Sequence, residues 1–247
     1  MRQGLPKQRQ QAPIAAHGLR RNPGTHQHQR DAGAVGKPAG EVIRGLVEQA
    51  LKALPVPRRI RWGDSDVEFV RPVHWVLLLH GTERVPAEIL GVRADRYSRG
   101  HRFHCNEPID IAEPAAYVDT LRDTGRVLVD MDARRETIHN AVLAAGKSLG
   151  GRAHIDTGLL DEVTALVEWP VVISGGFDEC FLDVPHEALV SSMQDHQKFF
   201  PVMDEAGKLM PHFITVANIE SRDPQQVRAG NERVIRPRLE DAGIGQP

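Results

Sequence analysis

Two short stretches of the sequence bring together side chains that can transfer protons, bind metal ions or attack a carbonyl carbon. Residues 101–105 read His-Arg-Phe-His-Cys, and residues 195–198 read Asp-His-Gln-Lys shortly after two serines. A histidine within hydrogen-bond reach of a cysteine or serine can activate it as a nucleophile. The same residue types also occur on ordinary amphipathic helices and solvated loops, so each stretch has a catalytic and a structural interpretation.

The first stretch contains too few metal ligands for a zinc site. Zinc needs three or four soft ligands at compatible spacing, and no second Cys/His pair lies near His101, His104 and Cys105. We therefore expect no metal site. Nothing in the sequence marks the Cys105 thiol as activated, so we expect it to be inert.

The same stretch is basic and aromatic. Arg99, Arg102 and the two histidines can contact phosphates, while Tyr97 or Phe103 can stack on a base. A solvated basic loop is the alternative interpretation.

Other polar residues have structural explanations. Asp130 and Asp132 could bind Mg²⁺, but Asp132 is expected to cap the helix that follows it. His74, inside an apolar run, is expected to be a hydrogen-bonded core histidine. Core packing is expected for all three tryptophans, Trp62, Trp75 and Trp169. Neither GxxxxGK[ST] nor GxGxxG occurs, so we expect no ATP site in this chain.

The second stretch lies in a segment, Val184–Ile219, that predicts a helix followed by a hairpin. Apolar residues recur at helical spacing up to Phe200, and Pro201 is expected to end the helix. Two apolar runs then flank a turn at residues 204–208 that contains a glycine. This places His196 and Gln197 on the polar edge of the helix.

The remaining patterns predict irregularly alternating helices and strands, which indicates a mixed α/β or α+β sheet with flanking helices. Helices are predicted at Glu41–Leu54, Ala115–Thr124, Asp132–Leu149 and from Asp223 to a break at Pro237. Strands are predicted at Val67–Val70, Val73–Leu79, Val85–Val92, Val127–Val129 and Val171–Ser174. Leu159–Val167 fits either type.

The composition, 40% hydrophobic and 26% charged, is typical of a soluble globular protein. No apolar run approaches the roughly 20 residues of a membrane span. The two cysteines fit a reducing cytoplasm, although one disulfide is possible. Residues 1–39 carry a net charge of +6 within a total of −2. We interpret them as a disordered or non-native leader.

Four long segments, taken in their order along the chain, identify a family: IRWGDSDVEFVRPVHW (60–75), SRGHRFH (98–104), residues 159–202, and GNERVIRPRLEDA (230–242). Together they closely resemble the beta subunits of bacterial heterotetrameric glycine–tRNA ligases. The resemblance runs from about Gly40 to Ala242 and covers the N-terminal half of such a subunit. It implies an α/β region similar to the B3/B4 module of phenylalanine–tRNA ligases.

The resemblance also implies a division of labour in a cytoplasmic α2β2 enzyme with no membrane association. The alpha subunits use ATP and Mg²⁺ to activate glycine, and the beta subunits provide most recognition of glycine tRNA. On this interpretation the chain has no cofactor and no catalytic residue. Candidate contacts to RNA or to the alpha subunit are the donor-rich side chains Arg71, Arg99, His101, Arg102, His104, His196, Gln197 and Lys198.

Two alternatives stay open at this point. The first is a hydrolytic editing pocket using His196 or Cys105. Glycine is the smallest amino acid, however, so an editing site that selects by size has little to reject. The second is a purely structural interface for the alpha subunit.

The chain departs from the resemblance in three places: residues 1–39, residues 243–247, and Pro237, where the family continues a helix. These departures lead us to expect a truncated or frameshifted reading frame whose product alone is inactive.

Overall fold

The computed structural model describes residues 36–56, 58–61 and 66–244. Most of the predicted leader, Trp62 and the last three residues of the tail lie outside these ranges, so the predictions for them stay predictions. No helix in the described ranges is long and apolar enough to cross a membrane.

The first element, α1 (Ala39–Ala53), confirms the predicted amphipathic helix. Glu41 in its first turn and Lys52 in its last turn complement the helix dipole. None of its residues is buried, so the apolar stripe that includes Leu46 is open to solvent.

Short strands follow α1 in the described part of the chain. They are β1 (Ile60–Arg61), β2 (Glu68–Phe69), β3 (Val76–Leu77), β4 (Leu79–His80), β5 (Glu83–Arg84), β6 (Glu88–Ile89), β7 (Val92–Asp95), β8 (Tyr97–Arg99) and β9 (Pro108–Asp110). The pairs β1–β2, β4–β5, β6–β7 and β8–β9 are antiparallel, and β3 runs parallel to β7.

Two strand predictions in this region were wrong in length. The run 73–79 is not one strand buried on both faces: it contains only β3 and the first residue of β4, and none of its residues is buried. His74 is exposed and Trp75 is 46% exposed, contrary to the core positions predicted for them. The run 85–92 contains a reversal, where Leu90 (φ +51°) and Gly91 (φ +77°) adopt left-handed backbone angles between β6 and β7.

Three helices follow: α2 (Tyr117–Asp123), α3 (Met131–Ser148) and α4 (Thr157–Leu166). The cap of α3 is Asp130, whose Oδ1 accepts a hydrogen bond from the Ala133 amide at 2.9 Å. The prediction of Asp132 as the cap was wrong by two positions. Residues 127–129 form no strand: the Val127 amide bonds to the Leu121 carbonyl and the Leu128 amide to the Glu168 carbonyl, so successive amides bond to different segments rather than to one partner strand.

A four-stranded antiparallel sheet carries the main core. Its strands lie in the order β10 (Arg152–Ala153), β12 (Phe200–Met203), β13 (Leu209–Ala217) and β11 (Val171–Gly176). One cluster, between the sheet and helices α3 and α4, includes the buried residues Ile138, Val142, Leu160, Phe200, Val202 and Ile214. The predicted strand 171–174 continues through Gly175, where any Cβ would collide with the ring of Phe213.

The predicted helix and hairpin are present, but the helix is shorter than expected. α5 (His186–Ser191) continues as one π-helical turn, Ser192–His196. Phe200 then begins strand β12 rather than completing the helical stripe. Pro201 lies inside this strand, beside a register shift between Pro201 and Met203, where a missing N–H is tolerated.

The last element, α6 (Pro224–Ile244), continues through Pro237, which was predicted to break it. Ile235 and Leu239 are fully buried on either side of the proline, in a cluster with Leu189 and Phe213. Pro237 itself is exposed, so the carbonyl that loses its helical partner can bond to water. Burial of one face therefore keeps the helix intact.

Candidate nucleic-acid interface

His101 connects two distant segments of the chain from a buried position. Its ring is 0% exposed, and its Nε2 lies 2.7 Å from the carbonyl oxygen of Asn218. Its Nδ1 accepts a hydrogen bond from the amide of Phe103 at 3.3 Å, so we assign the ring hydrogen to Nε2. The prediction that His101 forms part of an exposed contact surface was therefore wrong.

His104 forms a second connection to the same distant segment. Its Nε2 accepts a hydrogen bond from the amide of Glu220 at 3.0 Å, and its ring centroid lies 4.7 Å from that of His101. The Cys105 amide donates to the His101 carbonyl at 2.8 Å, but its thiol bonds to neither imidazole of this loop; the Sγ lies 3.9 Å from the Glu107 carbonyl oxygen. These contacts hold the loop 101–105 in place and give no support to a Cys–His nucleophile.

The side chains between these two histidines face solvent. Phe103 is 65% exposed, and the guanidinium carbon of Arg102 lies 5.2 Å from its ring centroid. On the adjacent strand β8, Tyr97 and Arg99 are exposed on one face while Ser98 is buried between them. The loop therefore presents the basic and aromatic side chains that its sequence indicates.

A second guanidinium–ring pair was missed by the sequence interpretation. The guanidinium carbon of Arg126 lies 5.2 Å from the centroid of the Trp169 ring. Arg126 has a left-handed backbone (φ +54°) and is exposed, and Trp169 is half-buried rather than a core residue. No local pattern joins these two positions, because the sequence around each one predicts only a turn.

Asn218 holds the two pairs on a common support. Its Oδ1 accepts hydrogen bonds from the amides of Glu168 at 2.7 Å and Trp169 at 2.9 Å, while its carbonyl oxygen contacts His101. We call the four side chains held around this support the guanidinium–aromatic surface: Arg102, Phe103, Arg126 and Trp169.

Buried Arg134 bonds to the segment that follows Arg126. Its Nη1 donates to the Leu128 carbonyl at 2.9 Å, and the Leu128 amide donates to Glu168. Burial lowers the pKa of the Arg134 guanidinium, against an opposing effect of the nearby Glu168 charge.

The predicted residues 196–198 lie at a separate place. The Lys198 ammonium contacts the Glu162 carboxylate at 2.9 Å and the Asp195 carbonyl at 3.0 Å. Its backbone is left-handed (φ +58°). His196 is exposed and Gln197 is half-buried. In the described ranges, no hydrogen bond, ion pair or ring contact joins residues 196–198 to the loop 101–105.

Arg71, the remaining predicted contact, lies at a third place. It lines a cavity of about 580 Å³ between the end of α1, the β1–β2 pair and the β6–β7 turn. Arg61 in this cavity is already paired with Asp66 and Glu68. By their contacts, the eight predicted side chains therefore fall into three groups, and their role in binding stays a prediction.

A smaller cavity of about 440 Å³ lies between β11 and α6. In its wall, the Glu232 carboxylate accepts hydrogen bonds from the Gly176 amide at 3.0 Å and from Arg228 at 2.8 Å. Partial burial raises the pKa of Glu232, but the hydrogen bonds from Arg228 and Gly176 outweigh it, and the net pKa is lowered. A hydrogen bond with Asp178 raises the pKa of the nearby Cys180 thiol, which makes it a poorer nucleophile.

The arrangement supports binding better than bond-making. The Asp195 carboxylate accepts a hydrogen bond from the Ser191 hydroxyl at 2.6 Å and, among the residues that the structure describes, bonds to no histidine. Within the described ranges, no group of three His, Cys, Asp or Glu side chains is arranged to hold a metal ion. A hydrolytic site at His196 or Cys105 therefore has no supporting geometry.

Comparison with known proteins identifies one family. The family model described as "Glycyl-tRNA synthetase beta subunit" matches residues 12–243. Its match begins inside the predicted leader and ends inside the predicted tail, and it includes the whole guanidinium–aromatic surface.

Individual relatives give the same result. The chain is 52% identical over 209 residues to a protein of Hahella chejuensis, 53% over 210 residues to one of Marinobacter nauticus and 54% over 209 residues to one of Chromohalobacter salexigens, each named glycine–tRNA ligase beta subunit. Each match covers 85% of this chain and 30% of the relative. The chain thus spans about a third of the length of these relatives.

Proposed function

The chain belongs to the glycyl-tRNA synthetase beta subunit family, and on that premise we propose that it supplies an RNA-contacting platform to an enzyme that joins glycine to its tRNA. The observation that carries the proposal is the exposed Arg102–Phe103 pair. It combines a cation and an aromatic ring on a backbone fixed by buried His101. Phosphate binding and base stacking need these two groups.

The proposal assigns the chemical step to the alpha subunit. Glycine activation with ATP and Mg²⁺ takes place there, within a cytoplasmic α2β2 assembly. This chain contributes no bond-making residue, which agrees with its lack of a glycine-rich phosphate loop. Likeness of its mixed α/β fold to the B3/B4 module of phenylalanine–tRNA ligases is part of the same proposal.

Binding of a glycine tRNA transcript to the purified chain across a salt series tests the RNA contact. We expect the logarithm of the binding constant to fall linearly with the logarithm of the salt concentration, because each neutralised phosphate releases a counterion. Absence of salt-dependent binding, both with and without the alpha subunit, would contradict the proposal.

A second candidate function, docking to the alpha subunit, is favoured by α1. Its apolar stripe is uncovered: Leu46 is 57% exposed and Val42 is 39% exposed. Leu46→Glu is expected to abolish co-purification with the alpha subunit. Arg44→Gln makes the same change in net charge on the polar face of α1, where Arg44 pairs with Glu48, and is expected to have no effect. Equal retention of both variants would exclude this interface.

A further inference from the structure

We propose that the guanidinium–aromatic surface binds unpaired nucleotides of an RNA, with bases stacked on Phe103 and Trp169 and phosphates held by Arg102 and Arg126. This inference rests on the proposed function and makes it specific. It names the residues that contact RNA and predicts single-stranded rather than duplex RNA at this place. Two of the residues, Arg126 and Trp169, are not among the sequence-based candidates.

Arg126 has an unusual backbone conformation. Its φ of +54° lies in the left-handed region that favours glycine, and Gly125 directly precedes it. An arginine at this φ costs backbone strain whatever its side chain does, and residues held at such angles cluster at functional sites. The side chain extends over Trp169 and, in the described ranges, forms no ion pair. The neighbouring Arg122, in contrast, is paired with Asp119 and Asp123.

Both arginines of the surface are available to a ligand. Arg102, like Arg126, is exposed and has no carboxylate within ion-pair distance among the described residues. Each guanidinium lies 5.2 Å from a ring centroid, and the charge of Arg126 reaches the Asp123 carboxylate only as a longer-range effect that helps to lower the pKa of Asp123. A guanidinium outside any ion pair can donate to a phosphate without first breaking one.

Hydrogen bonds hold the two ring-bearing segments together. Asn218 bonds to the amide of Trp169 and to the ring of His101, and His104 bonds to the amide of Glu220. The two ring-bearing segments are therefore fixed relative to each other before any ligand binds. Preorganisation of this kind lowers the entropic cost of ordering side chains on binding.

The chemistry favours unpaired nucleotides. Duplex RNA hides its base faces in the helix, so an exposed ring cannot stack on them. Unpaired bases of any sequence offer such faces, and aromatic rings interleaved with cations are the usual way of binding them. A protein partner that inserts acidic and apolar side chains is the competing occupant, and the experiment below distinguishes it.

The test measures binding of the 247-residue chain to glycine tRNA, to a short single-stranded RNA and to a blunt RNA duplex with the same number of phosphates. Arg126→Gly and Phe103→Leu are each expected to weaken binding of the single strand and the tRNA about tenfold, and duplex binding less than twofold. Arg126→Lys, which keeps the charge but loses the planar guanidinium, is expected to give an intermediate loss. Controls are Arg44→Gln for charge and Val234→Ala for an exposed apolar side chain, and both are expected to bind as wild type.

The outcomes separate the two proposals. Failure of the wild-type chain to bind tRNA, both with and without the alpha subunit, would overturn the proposed function. Normal tRNA binding by the wild type with no greater loss in Arg126→Gly or Phe103→Leu than in the controls would overturn only this inference. The inference would also be overturned if the variants lost as much affinity for the duplex as for the single strand. The same holds if they no longer bound the alpha subunit but bound RNA as well as the wild type does. Thermal unfolding of each variant shows whether it is folded at the temperature of the assay.

Discussion

The imidazole Nε2 of His101 and the carbonyl oxygen of Asn218 lie 2.7 Å apart, although 117 positions separate the two residues. The side chain of the same asparagine accepts hydrogen bonds from two amides of a third segment, at Glu168 and Trp169. One residue therefore joins three parts of the chain, and both exposed guanidinium–ring pairs depend on it for their positions.

Replacement of His101 by alanine is expected to destabilise the protein by about 2–4 kcal/mol, because it empties a fully buried site and leaves the Asn218 carbonyl without this donor. Urea unfolding measures the change in the free energy of unfolding. Phe103→Leu, two positions away on an exposed side chain, is the control and is expected to change it by less than about 0.5 kcal/mol. Equal effects of the two substitutions would show that His101 is not a structural connection.

Two substitutions of Arg126 should separate backbone strain from side-chain contacts. Glycine and alanine both remove the guanidinium over Trp169, but only glycine adopts φ +54° without steric strain. We expect Arg126→Gly to be more stable than Arg126→Ala by about 1 kcal/mol. Chemical denaturation of both variants checks this difference. A more stable alanine variant would rule out the left-handed conformation.

The lowered pKa of Glu232 predicts that the free energy of unfolding depends on pH. Its pKa in the folded protein lies below the ordinary 4.5, because hydrogen bonds from Arg228 and Gly176 outweigh the opposing effect of burial. A lowered folded pKa stabilises the protein above pH 4.5, and this contribution is lost as the pH falls through the folded pKa.

Glu232→Gln should therefore destabilise the protein at neutral pH and flatten the decline of stability below about pH 4.5. Unfolding midpoints between pH 7 and pH 3 measure this decline. Glu240→Gln removes a carboxylate from the same helix, where it pairs with Arg236, and serves as the control. Parallel pH profiles for wild type and Glu232→Gln would contradict the assignment.

Pro237→Ala should stabilise the protein by about 1–3 kcal/mol, because it restores a helical N–H to the carbonyl of Arg233 and removes the clash of the proline ring. The substitution leaves the buried neighbours Ile235 and Leu239 unchanged. A rise in the thermal midpoint, with slower hydrogen exchange at residues 238–244, is the expected result. An unchanged or lower midpoint would show that α6 is already relaxed around the proline.

The elements that could be predicted from sequence are those with a local signal. The amphipathic period of α1 fixed its bounds closely, and the two apolar runs around Gly207 identified the β12–β13 hairpin. The helix cap at the start of α3 was placed two positions late, since either Asp130 or Asp132 can cap a helix by type and only the backbone decides between them.

The candidate site was predicted in part. The basic and aromatic loop 101–105 was found because its residue types are adjacent in sequence. Arg126, Trp169 and Asn218 were not found, because their association depends on tertiary packing that no local period records. The prediction for Trp75 was wrong because its apolar neighbours indicated a long core strand. The strand that forms is only Val76–Leu77, and Trp75 just before it is 46% exposed.

The support at Asn218 also has a consequence for the order of folding. The hairpin β12–β13 joins residues close in sequence across the turn 204–208, whereas the bond from His101 to Asn218 closes a loop of 117 positions. Chain entropy opposes the larger closure more strongly, and contacts of long sequence separation slow folding. We therefore expect the hairpin to form early and the guanidinium–aromatic surface to assemble only when most of the chain has already reached its native topology.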